Sequence, residues 1–182
     1  FFRGSPSLQY LKFHGLRFEE GHCRALATLQ RTDLTVELTC CAIEPQDAQD
    51  IFIEWFRHNQ VVTTMEHCEI DSSFLSALSG NNSVKKLIFG AFTSELLGEE
   101  YIRSLAQALP DNTGIKHLSL GYDEMSDDVW SLFFRSISRH PRVEFLSLPN
   151  YRLAGRPQPL SAASKTTRMN AILQMLQHNT VL

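Results

Sequence analysis

The sequence predicts an α/β solenoid, with a parallel inner sheet, outer α-helices and about six strand–helix units. Three observations predict it. Short apolar segments with strand alternation recur, a stretch with helical spacing follows each, and clusters of breaker residues separate the units. The segments are Leu8–Leu11–Phe13, Val36–Leu38, Val62–Met65, Val84–Leu87–Phe89, Ile115–Leu118–Leu120 and Val143–Leu146–Leu148. Frames set at their first positions start at residues 8, 33, 62, 84, 115 and 143, and incompletely at 181. The steps of 25, 29, 22, 31, 28 and 38 residues lie in or near the period of stacked repeats.

Each element has a local reason. Leu118–Ser119–Leu120 and Leu146–Ser147–Leu148 alternate as a short strand must. Ile51, Phe52, Trp55 and Phe56 share one helical face, as do Ile102, Leu105, Ala106 and Leu109. Val129, Trp130, Phe133, Phe134 and Ile137 form a third such face. Between them, the third unit has room only for a short helix around Ser72–Leu78. Glu44–Pro45 puts a proline where a helix start tolerates it. Ser126 before Asp127–Asp128 reads as an N-cap followed by acids at the positive end of the dipole. Glu19–Glu20 and Glu99–Glu100 have the same helix-start reading. The stops are Ser79-Gly80-Asn81-Asn82, Pro110-Asp111-Asn112-Thr113-Gly114, His140-Pro141 and His178-Asn179-Thr180. A strand–helix unit cannot bury both apolar faces alone, and right-handed crossovers stack such units into a horseshoe.

Composition narrows the function classes. Hydrophobic residues make up 43% and charged residues 20%, as in a soluble globular chain, and no apolar run is long enough to span a bilayer. A net charge of −3 gives no global attraction to nucleic acid or anionic lipid. Cys23, Cys40, Cys41 and Cys68 fit neither a disulfide framework nor a Cys-x-x-Cys metal pattern. Free thiols point to a reducing, cytoplasmic setting. The start at Phe1 and the stop at Val181–Leu182 are read as cuts, making residues 1–182 a single segment of a longer array.

In the frame set above, sixteen of the 18 slots at positions one, four and six are apolar, Asp33 and His67 being the exceptions. The chain reads Val143-x-x-Leu146-x-Leu148-x-x-Tyr151-x-Leu153 and Ile115-x-x-Leu118-x-Leu120-x-x-Asp123-x-Met125. It also reads Leu8-x-x-Leu11-x-Phe13-x-x-Leu16-x-Phe18 and Val36-x-Leu38-x-x-Cys41-x-Ile43. This resembles the leucine-rich repeat, in its ribonuclease-inhibitor-like subclass with full α-helices, over essentially the whole chain. The Asn/Cys position of the repeat is filled only at Cys41. The resemblance implies a protein-binding scaffold; members serve as inhibitors, sensors, adaptors and GTPase-activating proteins.

On such an inner sheet the odd strand positions face outward from the core. Position three gives Tyr10, Thr35, Thr64, Lys86, His117 and Phe145; position five gives Lys12, Glu37, Glu66, Ile88, Ser119 and Ser147. Lys12, Glu37, Glu66 and Lys86 form a charged stripe in which Glu37 beside Glu66 awaits a basic side chain of a partner, or is neutralised by the two lysines. Phe145 is a candidate anchor in a small, apolar end of the face. The insertion from Ala154 to Ser161 is a rim loop, and no acid follows Glu144 while Arg152, Arg156, Lys165 and Arg168 add positive charge. The loop is a candidate contact for an acidic partner, or a phosphorylation site at Ser161 or Ser164. Partner-binding residues are therefore expected to be Tyr10, Lys12, Glu37, Glu66, Lys86, His117, Phe145, Arg152 and Arg156.

The pairs His22–Cys23, Cys40–Cys41 and His67–Cys68 do not make a metal site, because adjacent strand residues point to opposite faces. The chain carries no Gly-x-Ser-x-Gly, His-Glu-x-x-His or phosphate-loop signature. No catalytic residue, cofactor or metal is assigned. The expected function is a monomeric, non-enzymatic scaffold that binds a protein, with no nucleic-acid or membrane partner. Two alternatives stay open: a GTPase-activating-type regulator acting through Asn150 and Arg152, and a purely structural segment of a longer array.

Overall fold

The computed structural model describes residues 7–29, 32–69, 72–89, 98–121, 125–148 and 160–182. Along the chain run β1 (Tyr10–His14), β2 (Arg17–Phe18), α1 (Glu20–Ala27), β3 (Thr35–Thr39), β4 (Ala42–Ile43) and α2 (Gln46–His58). Then come β5 (Val62–Glu66), α3 (Ser73–Gly80), β6 (Lys86–Ile88), α4 (Glu99–Ala108), β7 (His117–Ser119), α5 (Asp127–Arg139), β8 (Phe145–Ser147) and α6 (Ala162–His178). The fold is mixed α/β. Six strands form one open parallel sheet in the order β1-β3-β5-β6-β7-β8, and β2 pairs with β4 in a small second one. The helices pack in the same sequence, from α1 on α2 to α5 on α6.

Strand alternation decides which sheet face is covered. Val36, Leu38, Met65, Leu87 and Leu118 are buried against the helices, together with Phe52, Phe56, Phe74, Ile102, Leu105, Phe133 and Phe134. Every helical face named from periodicity is buried, apart from Ile51, which is half-buried. The opposite sheet face carries the intervening residues and, among the described residues, no helix.

Two expectations about the frame are corrected. Leu38 lies beside Met65, not one repeat position away, so the step between these units is 27 residues rather than 29. A further irregularity of one residue lies between Val36, which pairs with Val62, and Glu37, which pairs with Thr64. His67 therefore does not fill an apolar slot. It stands two residues past Met65, as Cys40 stands past Leu38 and Gly15 past Phe13, and all three have positive φ (53°, 53° and 65°). Left-handed backbone at one rung in three successive units turns the chain sharply out of the strand. The second apolar slot at Asp33 is supplied by its neighbour Leu34, which is buried.

The helix ends are tied unit to unit. Each of α3, α5 and α6 is followed directly by a buried Asn81, His140 or Asn179, and Asn112 ends the 3-10 turn Leu109–Asp111 that extends α4. Asn112 Nδ2 donates to Leu78 O (2.7 Å) and Asn81 O (2.8 Å), while its Oδ1 accepts from the Gly114 and Ile115 amides. Asn81 does the same one unit earlier, donating to Phe56 O and Asn59 O and accepting from the Ser83 amide. Asn179 donates to Ile137 O and accepts from Val181 and Leu182. One amide thus satisfies orphan carbonyls of the previous helix end and orphan amides of the next strand. The approach is close: a Cβ at Gly114 would lie 2.3 Å from Asn82 O, so only glycine fits there.

His140 is the variant member. Its Nδ1 accepts from the Arg142 and Val143 amides, but its Nε2 is buried without a partner among the described residues. Burial lowers its pKa to about 4.

The opposite helix ends are tied by charge. Ser126 does not cap α5 with its side chain. Glu99 of α4 accepts from both the Ser126 amide and hydroxyl, at 2.5 and 2.9 Å. Arg103 binds Asp128 (2.5 Å), and Arg168 Nε binds Asp127 (2.8 Å). These acids hold neighbouring helices together rather than serving a dipole alone. The bonds from Ser126 and Arg103 lower the Asp128 pKa to about 2, and those from Arg168 and Ser164 lower that of Asp127.

Two stability experiments test the caps. Asn112→Ala strands buried groups on two units and should cost about 2–4 kcal/mol in urea unfolding. The exposed neighbour change Asp111→Ala should stay within ~0.5 kcal/mol. For His140 the folded pKa lies below the ordinary value, so the unfolded chain binds the proton first and stability falls as pH drops from 6.5 to about 4. His140→Asn should flatten that part of the stability–pH curve; an unchanged slope would mean that His140 is not the titrating group.

Candidate protein-binding face

The open sheet face is ordered by strand register. One rung runs Lys12, Glu37, Thr64, Lys86, His117 and Phe145, and the next His14, Thr39, Glu66, Ile88, Ser119 and Ser147. The two-residue slip therefore separates Glu37 from Glu66, which the repeat frame sets side by side. Each carboxylate has its own cation. Glu37 Oε2 accepts from the Tyr10 hydroxyl at 2.7 Å and lies 3.7 Å from Lys12 Nζ, and Glu66 is in contact with Lys86. The stripe is neutralised within the sheet, and no pair of carboxylates among the described residues of this face waits for a basic side chain. Within the sheet, Lys12 is paired with Glu37 and Lys86 with Glu66.

What the face offers outward is aromatic. Tyr10 is 49% exposed on the edge strand β1 and Phe145 52% exposed on the other edge strand β8. Five inter-strand gaps put them about 24 Å apart. His117 stacks on Phe145 with ring centroids 4.3 Å apart and planes tilted by 47°. Burial and the neighbouring Lys86 lower the His117 pKa, which disfavours a charge on the ring. Between the anchors lie half-buried Thr64, Ile88, Ser119 and Ser147. Such a surface, large aromatic contacts at either end of a polar, internally paired strip, suits a protein surface or an extended chain.

Arg152, Arg156 and Asn150 lie outside the described residues. Arg168, counted among the free positive charges, is instead buried: it bonds Asp127 and the Met125 carbonyl and stacks on Trp130, with its guanidinium 5.0 Å from the ring centre. Ser161 caps α6 through Ser164 N, and the Ser164 hydroxyl donates to Asp127 at 2.7 Å. A phosphate on Ser164 would face that carboxylate, so the structure gives this site no support.

Two sets of residues escape a reading of the sequence. Cys68 stands where Cys41 stands one unit before, as the bridge Ala42–Glu69 fixes. Cys41 Sγ lies 3.3 Å from Thr39 O and Cys68 Sγ 3.5 Å from Glu66 O, repeating one turn, and the two thiols hydrogen-bond. That bond holds Cys41 below the usual thiol range and pushes Cys68 above it. The repeat spacing Cys–27–Cys carries this signal, but the slipped frame hides it. The capping residues also have a signal, Asn-x-x-Val/Ile at 81, 112 and (with Asn-x-x-Leu) 179, visible only as breakers. No three His, Cys, Asp or Glu converge on a metal-sized site among the described residues. Nor is any described helix long and apolar enough to cross a membrane.

No protein-family model matches the chain, and no curated protein matches it. Solved structures do match. One, described as Leiomodin-1 Actin-Binding Site 2 (ABS2), is 14% identical, with 74% of this chain and 75% of that one covered at a TM-score of 0.45.

The Tyr10–Glu37 contact can be measured directly. The hydrogen bond to Glu37 is the largest cause raising the Tyr10 pKa. Glu37→Gln should return the phenol toward its ordinary value in an NMR titration of the tyrosine ring carbons. No change would place the Tyr10 hydroxyl away from Glu37.

Proposed function

We propose that the chain is part of a leucine-rich-repeat solenoid serving as a non-enzymatic scaffold that binds a protein through its open sheet face. The observation that carries the reading is the exposure of Tyr10 and Phe145 on one uncovered face of a six-stranded parallel sheet. The stepwise order of strands and helices supports a stacked-repeat architecture, as do the matching turns at Cys41 and Cys68. Phe145 with its stacked His117 is the principal anchor, Tyr10 the second, and Lys12, Glu37, Glu66 and Lys86 fix the register of what lies between. No residue is assigned a catalytic role. Four free cysteines support a reducing compartment. The GTPase-regulator alternative depends on Asn150 and Arg152, and no described residue favours it.

A photo-crosslinking amino acid placed at Phe145 or Tyr10, and separately at the exposed outer-helix position Gln107, tests the face. Expected is a common protein adduct from Phe145 and Tyr10 that is absent from Gln107. Equal labelling at all three, or none at the sheet positions, would leave the chain as a structural segment.

A further inference from the structure

The outer surface holds a second feature, a groove between α5 and α6. It encloses about 510 Å³ and is walled by Ser131, Arg135, Ser138 and Arg139 on one side and by Thr167, Asn170, Gln174 and His178 on the other. Phe134, Ala171 and Met175 close its floor and are buried. Arg135 and Arg139 are not buried, and neither forms an ion pair with a described residue. Among the described residues, no carboxylate lines the groove. The acids of α5 are Asp127 and Asp128 in its first turn, already engaged by Arg168 and Arg103 two turns from Arg135. This contrasts with the sheet face, where Lys12, Glu37, Glu66 and Lys86 are all paired.

We propose that this groove is a binding site for an acidic peptide segment of a protein partner, held extended between α5 and α6. Spacing argues for it. Arg135 and Arg139 are four residues apart on one wall, as are Asn170, Gln174 and His178 on the other, and four helical residues rise ~6 Å. Alternate side chains of an extended peptide are ~6.6 Å apart. Carboxylates at every second position therefore meet successive guanidinium groups, while the amides of the facing wall reach the peptide backbone. Both arginines supply planar forks suited to carboxylate. Other anionic partners fit less well. Among the described residues the walls present no exposed aromatic ring on which a base could stack. Met169, Leu173 and Leu176 of α6 are exposed but do not line the groove, whose apolar floor is buried, so the groove itself offers nothing to insert into lipid.

This site is separate from the sheet face, and its test does not depend on that proposal. Fluorescence anisotropy of a fluorescein-labelled oligoglutamate peptide against the full chain should show saturable binding. An oligoglutamine peptide should not bind. Binding should weaken as salt shortens the Debye length from ~10 Å to ~3 Å. The double variant Arg135→Gln/Arg139→Gln should bind roughly tenfold more weakly, with an unchanged melting curve because neither side chain is part of the core. Asn170→Arg, which adds a cation to the facing wall, should strengthen binding, and Phe145→Ala should leave it unaltered. Absence of saturable binding would overturn the proposal, as would equal affinity in the double variant. Co-sedimentation with phosphatidylserine vesicles without peptide binding would overturn it in favour of a lipid surface.

Discussion

A buried side-chain amide at the end of successive helices holds this array together. Parallel strands need long crossovers, and each crossover here ends in a helix whose last carbonyls must find donors next to a strand whose first amides must find acceptors. Asn81 and Asn112 answer both needs and reach back to the unit before. Hydrophobic burial drives the stacking, but it is non-directional. The amides set the offset between units, and Gly114 shows how tightly they set it. Strand register and the rungs of the open face both depend on that offset.

The strands and helices were legible in the sequence because their signals are local. The helical faces at 51–56, 102–109 and 129–137 are readable from period alone. The register is not, because it depends on where a neighbouring strand stops. A two-residue slip between Leu38 and Met65 preserves the apolar alternation, and so it leaves no mark in the pattern. That slip moves Glu66 away from Glu37 and hides the equivalence of Cys41 and Cys68. Of the candidate site, Tyr10 and Phe145 were legible as outward-facing aromatic residues. Neutralisation of Glu37 and Glu66 by Lys12 and Lys86 was one of two readings open in the sequence, and only the true rungs show which cation meets which carboxylate. Arg168 failed for a related reason. Its burial depends on Asp127 and Trp130, about forty residues away in sequence.

The two outward surfaces divide their chemistry. The sheet face keeps its charges in internal pairs and exposes rings, so its affinity should rest on desolvating aromatic surface and depend weakly on salt. The helical groove exposes guanidinium groups over an apolar floor, so its contacts are electrostatic and reversible. A protein engaged on both faces would gain effective concentration from the first contact for the second.

The orphaned Nε2 of His140 has a mechanical consequence. The ends of α3 and α4 are joined at the rim by Asn112, and those of α5 and α6 by Asn179, but among the described residues His140 makes no such bond back toward α4. The α4–α5 seam is fastened by polar bonds at the other rim, through Glu99–Ser126 and Arg103–Asp128. Among the described residues, the clasp that sets the offset elsewhere is missing at this rim. The placement of α5 on α4 therefore rests on buried apolar packing, the continuous pairing of β6, β7 and β8, and the charged bonds of the other rim.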